Sequence, residues 1–137
     1  MLQEKQVAKL LSRARAARKR AYSRHKPKRI KVGAALLTTR GLVFEGCNIS
    51  NDSSTLGMCA ERVAVYAAVA QGHRSFKAIA VVGSGREPWT PCGACRQTLH
   101  QFDPKGALEV LMTDATGRKV LRMRLRDLYP MPFRINE

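Results

Sequence analysis

The residues of this chain whose types and spacing can do chemistry are Cys59-Ala60-Glu61 and, farther along, Pro91-Cys92-Gly93-Ala94-Cys95. As thiolates, Cys59, Cys92 and Cys95 can hold a zinc ion while a fourth position stays open to water. Glu61 sits among these ligands without being one, which is where a proton-moving carboxylate belongs. A metal with an open position beside a proton shuttle is the equipment of a hydrolytic enzyme.

The elements around these residues must aim them at one point. Cys59 and Cys92 each fall where a helix is predicted to begin. The free N–H groups and partial positive charge of a helix start lower a thiol pKa and steady a thiolate. Cys95, one turn after Cys92, shares its face. Three thiolates on Zn²⁺ leave a net negative charge, which works against deprotonating water. The two helix dipoles offset part of it, and Arg62 is expected to donate hydrogen bonds to the thiolates and offset more. Glu61 alone would be an ordinary helix-start carboxylate stabilised by the dipole. Between Cys59 and the Cys92/Cys95 pair it is assigned as the general acid/base. It takes a proton from the attacking water, protonates a ring nitrogen so that the ring carbon becomes electrophilic, and passes a proton to the departing amine.

The cysteines admit two other readings. Cys92-x-x-Cys95 by itself is also the spacing of a redox pair. With Cys47 included, four cysteines could close a structural zinc site. Structural sites usually pair their ligands in two short knuckles, whereas eleven residues separate Cys47 from Cys59. Cys47 is therefore read as a packing residue at a strand end.

Around the motif, Val7, Leu10, Leu11, Ala14, Ala17 and Ala21 recur at helical spacing. They predict an amphipathic helix over residues 3–23 with a basic outer face, and Pro27 lies beyond its end. Ile30 to Leu37 and Leu42 to Cys47 read as a hairpin turning at Arg40-Gly41. Gly33-Ala34-Ala35 provides small residues where something packs close. The polar stretch 48–57 reads as a loop, and Cys59 to Ala70 as a buried helix ended by Gly72. Ala78-Ile79-Ala80-Val81-Val82 is a continuous apolar run and so a central strand; Gly83-Ser84-Gly85 is a turn. A helix over Cys92 to Phe102, strands over Leu108 to Met112 and Lys119 to Met123, and a short helix over Leu125 to Leu128 complete the chain. Helices alternating with strands predict a three-layer α/β/α domain spanning residues 1–137.

Composition narrows the classes. At 137 residues the chain is one domain with room for a core. No apolar run is long enough to span a bilayer, which predicts no membrane partner. The start, Met1-Leu2-Gln3-Glu4-Lys5, lacks the apolar segment of a secretory signal. Four cysteines outside an oxidising compartment favour metal over disulfides, and a cytoplasmic location is expected. Charge is lopsided: residues 1–31 hold 12 of the 25 Lys and Arg against one acid, Glu4. Such an arm suits nucleic acid, another acidic surface or a transit peptide, or is simply a solvated helix face. Only Tyr22 interleaves the basic run as an aromatic, so stacking on single-stranded bases gains little support.

Ala21-Tyr22-Ser23, Val32-Gly33-Ala34-Ala35-Leu36, Gly46-Cys47-Asn48, Cys59-Ala60-Glu61-Arg62 and Pro91-Cys92-Gly93-Ala94-Cys95-Arg96-Gln97 together resemble the small, homotetrameric, zinc-dependent cytidine deaminases. Leu128-Tyr129-Pro130-Met131-Pro132-Phe133 resembles that family's Leu-Pro-x-x-Phe ending, and the match runs from about Lys5 to Phe133. The resemblance makes the first helix part of the fold, against the transit-peptide reading. It implies a five-stranded mixed sheet flanked by helices, with Zn²⁺ on Cys59, Cys92 and Cys95. It also implies that backbone at Ala60 and Thr90 holds the polar edge of a pyrimidine. Active sites shared within a homotetramer, with Phe133 reaching a neighbouring subunit's pocket, and a role in pyrimidine salvage follow as well.

The departures from the family all fall on substrate contacts. Asn48 is kept, but Ser50 stands where the family has the glutamate that grips a ribose hydroxyl. Ile30 replaces a stacking Phe, and Ser54 aligns with another aromatic. Losing a charge-assisted bond to a sugar hydroxyl costs about 1.5–3 kcal/mol, roughly tenfold to a hundredfold in affinity. Blasticidin S deaminase, a relative, also lacks that glutamate and accepts a modified sugar. Trp89, the sole tryptophan, is read either as closing the pocket in place of the missing aromatics or as filling a core gap. Arg96 and Gln97 either orient the second zinc helix or are ordinary surface residues. The leading expectation is deamination of a free cytosine-type nucleoside. The alternatives are a deaminase acting on a nucleotide or on cytosine in nucleic acid, reached through the basic first helix, and a non-catalytic RNA-binding module. Retained Glu61 opposes the last.

Overall fold

The computed structural model describes residues 1–25 and 30–136, so Pro27 lies outside the described residues. In chain order the elements are α1 (Glu4–Arg18), β1 (Gly33–Thr38), β2 (Val43–Cys47), α2 (Ala60–Ala70), β3 (Phe76–Val82), α3 (Gly93–Phe102), β4 (Glu109–Thr113), β5 (Val120–Arg124) and α4 (Leu125–Leu128). A short 3₁₀ turn, Ser54–Leu56, interrupts the loop before α2. The strands form one five-stranded sheet in the order β2-β1-β3-β4-β5. β3 and β4 run parallel, with α3 in the crossover between them, and the other neighbours are antiparallel.

Because successive side chains of a strand point to opposite faces, each central strand feeds two cores. Ala35, Leu37, Ala78, Ala80, Val82 and Leu111 meet the α1 stripe of Val7, Leu10, Leu11 and Ala14. Ala34, Leu36, Ile79, Val81, Val110 and Met112 meet Ala60, Ala64, Val65 and Ala68 of α2 and Leu99 of α3. The result is the expected α/β/α sandwich, with the apolar face of the basic helix built into it. Fully burying a leucine such as Leu10, 2% exposed, contributes about 1.5–3 kcal/mol.

Two glycines let helices lie directly on the sheet. A side chain on Gly33 would meet the backbone of α1 at Ala14 O and Arg18 N, and one on Gly46 would meet α2 at Ala60 O and Ala64 N. The small residues at 33–35 therefore do mark a close approach, and Gly46 seats the start of α2, where the motif begins.

The first helix is shorter than its periodicity predicts. It is capped at Lys19, and although Ala21 stays buried, the backbone of Tyr22 is claimed elsewhere. Tyr22 N–H donates to Asn48 O at 3.0 Å and Tyr22 O accepts from Ser50 N–H at 2.9 Å. β1 likewise begins at Gly33 rather than Ile30, because Ile30 O, both polar groups of Lys31 and the Val32 N–H go to side chains, leaving Val32 O to backbone, at Asn48 N–H. Asn48 Oδ1 accepts from Val32 N–H at 2.7 Å, Asn48 Nδ2 donates to Ile30 O at 3.1 Å, and Ser84 Oγ bonds both polar groups of Lys31 at 2.6 Å. Among the described residues, no helix is long and apolar enough to cross a membrane.

Candidate active site

Cys59 and Cys92 occupy the N-cap positions of α2 and α3, and Cys95 lies in the first turn of α3. The two helix starts thus bring three sulfurs within 4.8 Å of one another. Cys59 Sγ and Cys92 Sγ are 3.7 Å apart. Zinc–sulfur bonds of about 2.3 Å in a tetrahedron place sulfurs about 3.8 Å apart, so this spacing fits zinc. Cys47 is free and half-buried at the end of β2, and is not part of the cluster.

The electrostatics of the trio also call for a cation. Hydrogen bonds from Cys95, Arg62 and Cys92 hold the Cys59 thiol down to about 5 against the opposing effect of its burial. Cys95 is driven far above the ordinary thiol range by its hydrogen bond to Cys59, by burial, and by the charges of Glu61, Cys59 and Cys92. Without a cation, one ionised sulfur is therefore stabilised by a neighbour that keeps its proton. Three thiolates together require a positive ion between them.

Glu61, on the first turn of α2, is only 5% exposed. Burial raises its carboxyl to about 7, with the Cys59 charge adding to the rise, while its own backbone N–H, Cys95 and Arg62 pull the other way. A carboxyl balanced near neutrality can both accept and return a proton at physiological pH. Arg62 Nη2 donates to Cys59 Sγ at 3.4 Å.

These groups open into a cavity of about 430 Å³ lined by Ile30, Val32, Asn48, Ser54, Met58, Trp89 and Thr90, besides Cys59, Ala60, Glu61, Arg62 and Cys92. That volume lies within the range of small-ligand sites, about 300–1,000 Å³. Ile30, Asn48, Ala60, Trp89 and Thr90, read from the sequence as substrate contacts, all line this cavity. Asn48 has spent one amide hydrogen and its oxygen on the backbone of Ile30 and Val32, so it shapes the wall as much as it offers contacts. Ser50 is not in the wall; it is exposed, with its N–H turned to Tyr22 O.

Trp89 meets both descriptions offered for it. It lines the cavity and packs against the core, in space left by glycine: a side chain on Gly83 would collide with the indole. Phe133 lies away from this cavity, 68% exposed, its backbone tethered at both polar groups by the Gln97 side chain. Arg96 Nε donates to Pro91 O at 2.8 Å and Arg96 Nη1 to Leu128 O at 2.6 Å. Arg96 and Gln97 therefore do brace the second cysteine helix. Met58 and Val32 also line the cavity, which the sequence reading does not anticipate. The available signals were adjacency to Cys59 for Met58 and membership of the Val-Gly-Ala-Ala stretch for Val32.

A layered α/β/α sheet with three cysteines at two helix starts and a buried carboxylate beside them defines a zinc-dependent hydrolase of the deaminase type. Residues 4–110 match the family described as the cytidine and deoxycytidylate deaminase zinc-binding region, and the chain belongs to that family. It is 43% identical over 111 residues to a cytidine deaminase of Sporosarcina psychrophila, covering 81% of this chain and 79% of that one. The crystal structure of a cytidine deaminase from Burkholderia pseudomallei superposes with a TM-score of 0.84 at 44% identity, covering 92% of this chain and 98% of that one. The blasticidin-S deaminase of Bacillus cereus is 26% identical over 116 residues, covering 77% and 78%. The protein is thus a zinc-dependent cytidine deaminase-like hydrolase, and its cofactor is Zn²⁺.

Proposed function

We propose that the protein hydrolyses the exocyclic amine of a free cytosine-type nucleoside, giving the uridine-type product and ammonia. The observation that carries this reading is a nucleoside-scale cavity whose walls include both the three sulfurs' helix starts and the buried Glu61. Cys59, Cys92 and Cys95 would hold the zinc, which when bound would lower the pKa of a water toward neutrality.

The chain's own groups do the rest. Glu61 accepts the proton of the attacking water, delivers it to the ring nitrogen, and later serves the departing amine. Arg62 and the two helix starts balance the thiolate charge. The backbone at Ala60 and Thr90 holds the polar edge of the base, and Ile30 and Trp89 flank the ring. With Ser50 outside the wall, contact with the sugar falls to Asn48 and Ser54.

Exposed Phe133, Met131 and Ile135, at 68–88%, support association of copies into a homotetramer in which Phe133 completes a neighbour's site. A Phe133→Ala variant should shift the oligomer to smaller species in light scattering and lower kcat/KM. An unchanged tetramer with unchanged kinetics would remove that role. Thiols that must stay reduced support a cytoplasmic setting, and deamination of a free nucleoside suits a part in reusing pyrimidines.

The test is ammonia release from zinc-loaded protein given cytidine, deoxycytidine, their 5′-monophosphates, sugar- and base-modified cytosine nucleosides, adenosine and guanosine. Turnover confined to unphosphorylated cytosine nucleosides is expected. Activity only on the monophosphates or the purines would overturn the reading.

A further inference from the structure

One strongly charged surface is not used by this chemistry. On α1, Arg15, Arg18 and Lys19 line a cleft of about 300 Å³ with Ser12, Ala16 and Ala115. The Arg15 side chain lies against Gly117, in the turn between β4 and β5, and Arg118 follows Gly117 in the chain. Some cations elsewhere are paired: Arg13 and Arg20 share Glu45, Arg24 and His25 share Asp52, and Arg122 holds Glu4 and Glu109, whereas others among the described residues, such as Lys5, Lys9 and Lys77, are not. Among the described residues, Arg15, Lys19 and Arg118 have no acidic partner and are exposed.

The nearby acids are already engaged. Asp114 accepts from the Thr116 hydroxyl and the backbone N–H groups of Arg118 and Lys119. Glu87 is paired with Lys119. Asp114 stays ionised next to Ala115 and offsets part of the charge, but the cleft lining itself holds three cations and no acid, a surface that attracts phosphate.

Hydrogen bonds tie this surface to the segment that enters the catalytic cavity wall. Arg18 Nε donates to Lys31 O at 2.9 Å, Lys31 is bonded to Ser84, and Ile30, next in the chain, lines the cavity. The turn after β4 is joined to the loop after β3, where Ala115 N–H donates to Gly85 O at 3.0 Å. We propose that Arg15, Lys19 and Arg118 form an anchorage for the phosphate backbone of a single-stranded polynucleotide, running along α1 toward the cavity rim. Each cation takes one phosphate as a point or forked contact, without reading bases. The proposal rests on the charged cleft alone and stands or falls separately from the nucleoside chemistry.

The probe is a fluorescein-labelled pyrimidine RNA of about 20 nucleotides, followed by anisotropy from about 50 to 300 mM salt. Arg15→Glu/Lys19→Glu/Arg118→Glu should weaken binding at least about tenfold at the lowest salt. Replacing three phosphate contacts should also flatten the log K against log salt slope by about two. The neutral triple Arg15→Gln/Lys19→Gln/Arg118→Gln should show the same flattening with a smaller loss. The control triple Lys5→Glu/Lys9→Glu/Lys77→Glu makes the same change in net charge away from this cleft, with Lys9 and Lys77 lining a separate cavity. It should weaken binding by less than about threefold. Cytidine turnover and melting temperature should hold in all three variants. Equal losses from the cleft and control triples, or no RNA binding by the parent protein at about 50 mM salt, would overturn the anchorage.

Discussion

Arg62 Nη2 lies 3.4 Å from Cys59 Sγ, one turn along α2, while Arg62 Nε is buried without a hydrogen-bond partner. An arginine so placed gives part of its hydrogen bonding to a sulfur, which draws charge away from the thiolate. Its own proton is held more tightly in return, chiefly by that bond to Cys59. Replacing Arg62 with Ala should leave the three sulfurs in place and zinc at one equivalent by elemental analysis. It should lower kcat about ten- to a hundredfold, the usual cost of losing a partner of a metal ligand. Loss of zinc, or full activity, would show that Arg62 acts otherwise.

Trp89 is the aromatic wall of the cavity, and Gly83 leaves the room it occupies. Stacking a base on an aromatic ring contributes about 1–3 kcal/mol, so Trp89→Ala should lower kcat/KM for cytidine about five- to 150-fold. The loss should appear mainly in KM, and Trp89→Phe should recover most of it. A variant that only melts earlier, with KM unchanged, would make Trp89 a packing residue.

Far from the site, Glu109 binds the chain start to the sheet. Its carboxylate accepts from Leu2 N–H at 2.8 Å and from Arg122 Nε at 2.7 Å. Burial alone would raise its pKa, but these bonds outweigh burial and leave it lowered from the ordinary 4.5. A carboxyl depressed in the folded state adds stability that is present above its unfolded value and lost as pH falls through the folded one. Glu109→Gln should cost about 1.5–3 kcal/mol at pH 7, as for hydrogen bonds to a charged group. The gap between parent and variant in urea unfolding should narrow as pH drops below 4.5. A gap that is constant with pH would show that ionisation of Glu109 contributes nothing.

The catalytic centre was readable because its ligands are local: Cys59 and Glu61 share one helix start, and Cys92 and Cys95 another. The sheet was readable because its central strands are unbroken apolar runs. What the sequence hid depends on contacts distant in the chain. The end of α1 is decided by Asn48 and Ser50 claiming the backbone of Tyr22. The late start of β1 is decided by the Asn48 side chain and Ser84. Ser50 aligns with a contact residue of the family, yet it lies outside the cavity wall, its backbone paired with Tyr22. Trp89 resisted assignment for a related reason: the space made by Gly83 is visible only once β3 and the loop after it are side by side.

The central claim is that Glu61 moves the proton for a hydrolysis carried out at the three-cysteine site. Ammonia release from cytidine should therefore be compared between the parent protein and Glu61→Gln, each carrying one equivalent of zinc. The parent should release ammonia rapidly and the variant about 10²- to 10⁴-fold more slowly, the usual contribution of a positioned acid/base. A Glu61→Gln protein that keeps zinc and releases ammonia within a few-fold of the parent rate would contradict it.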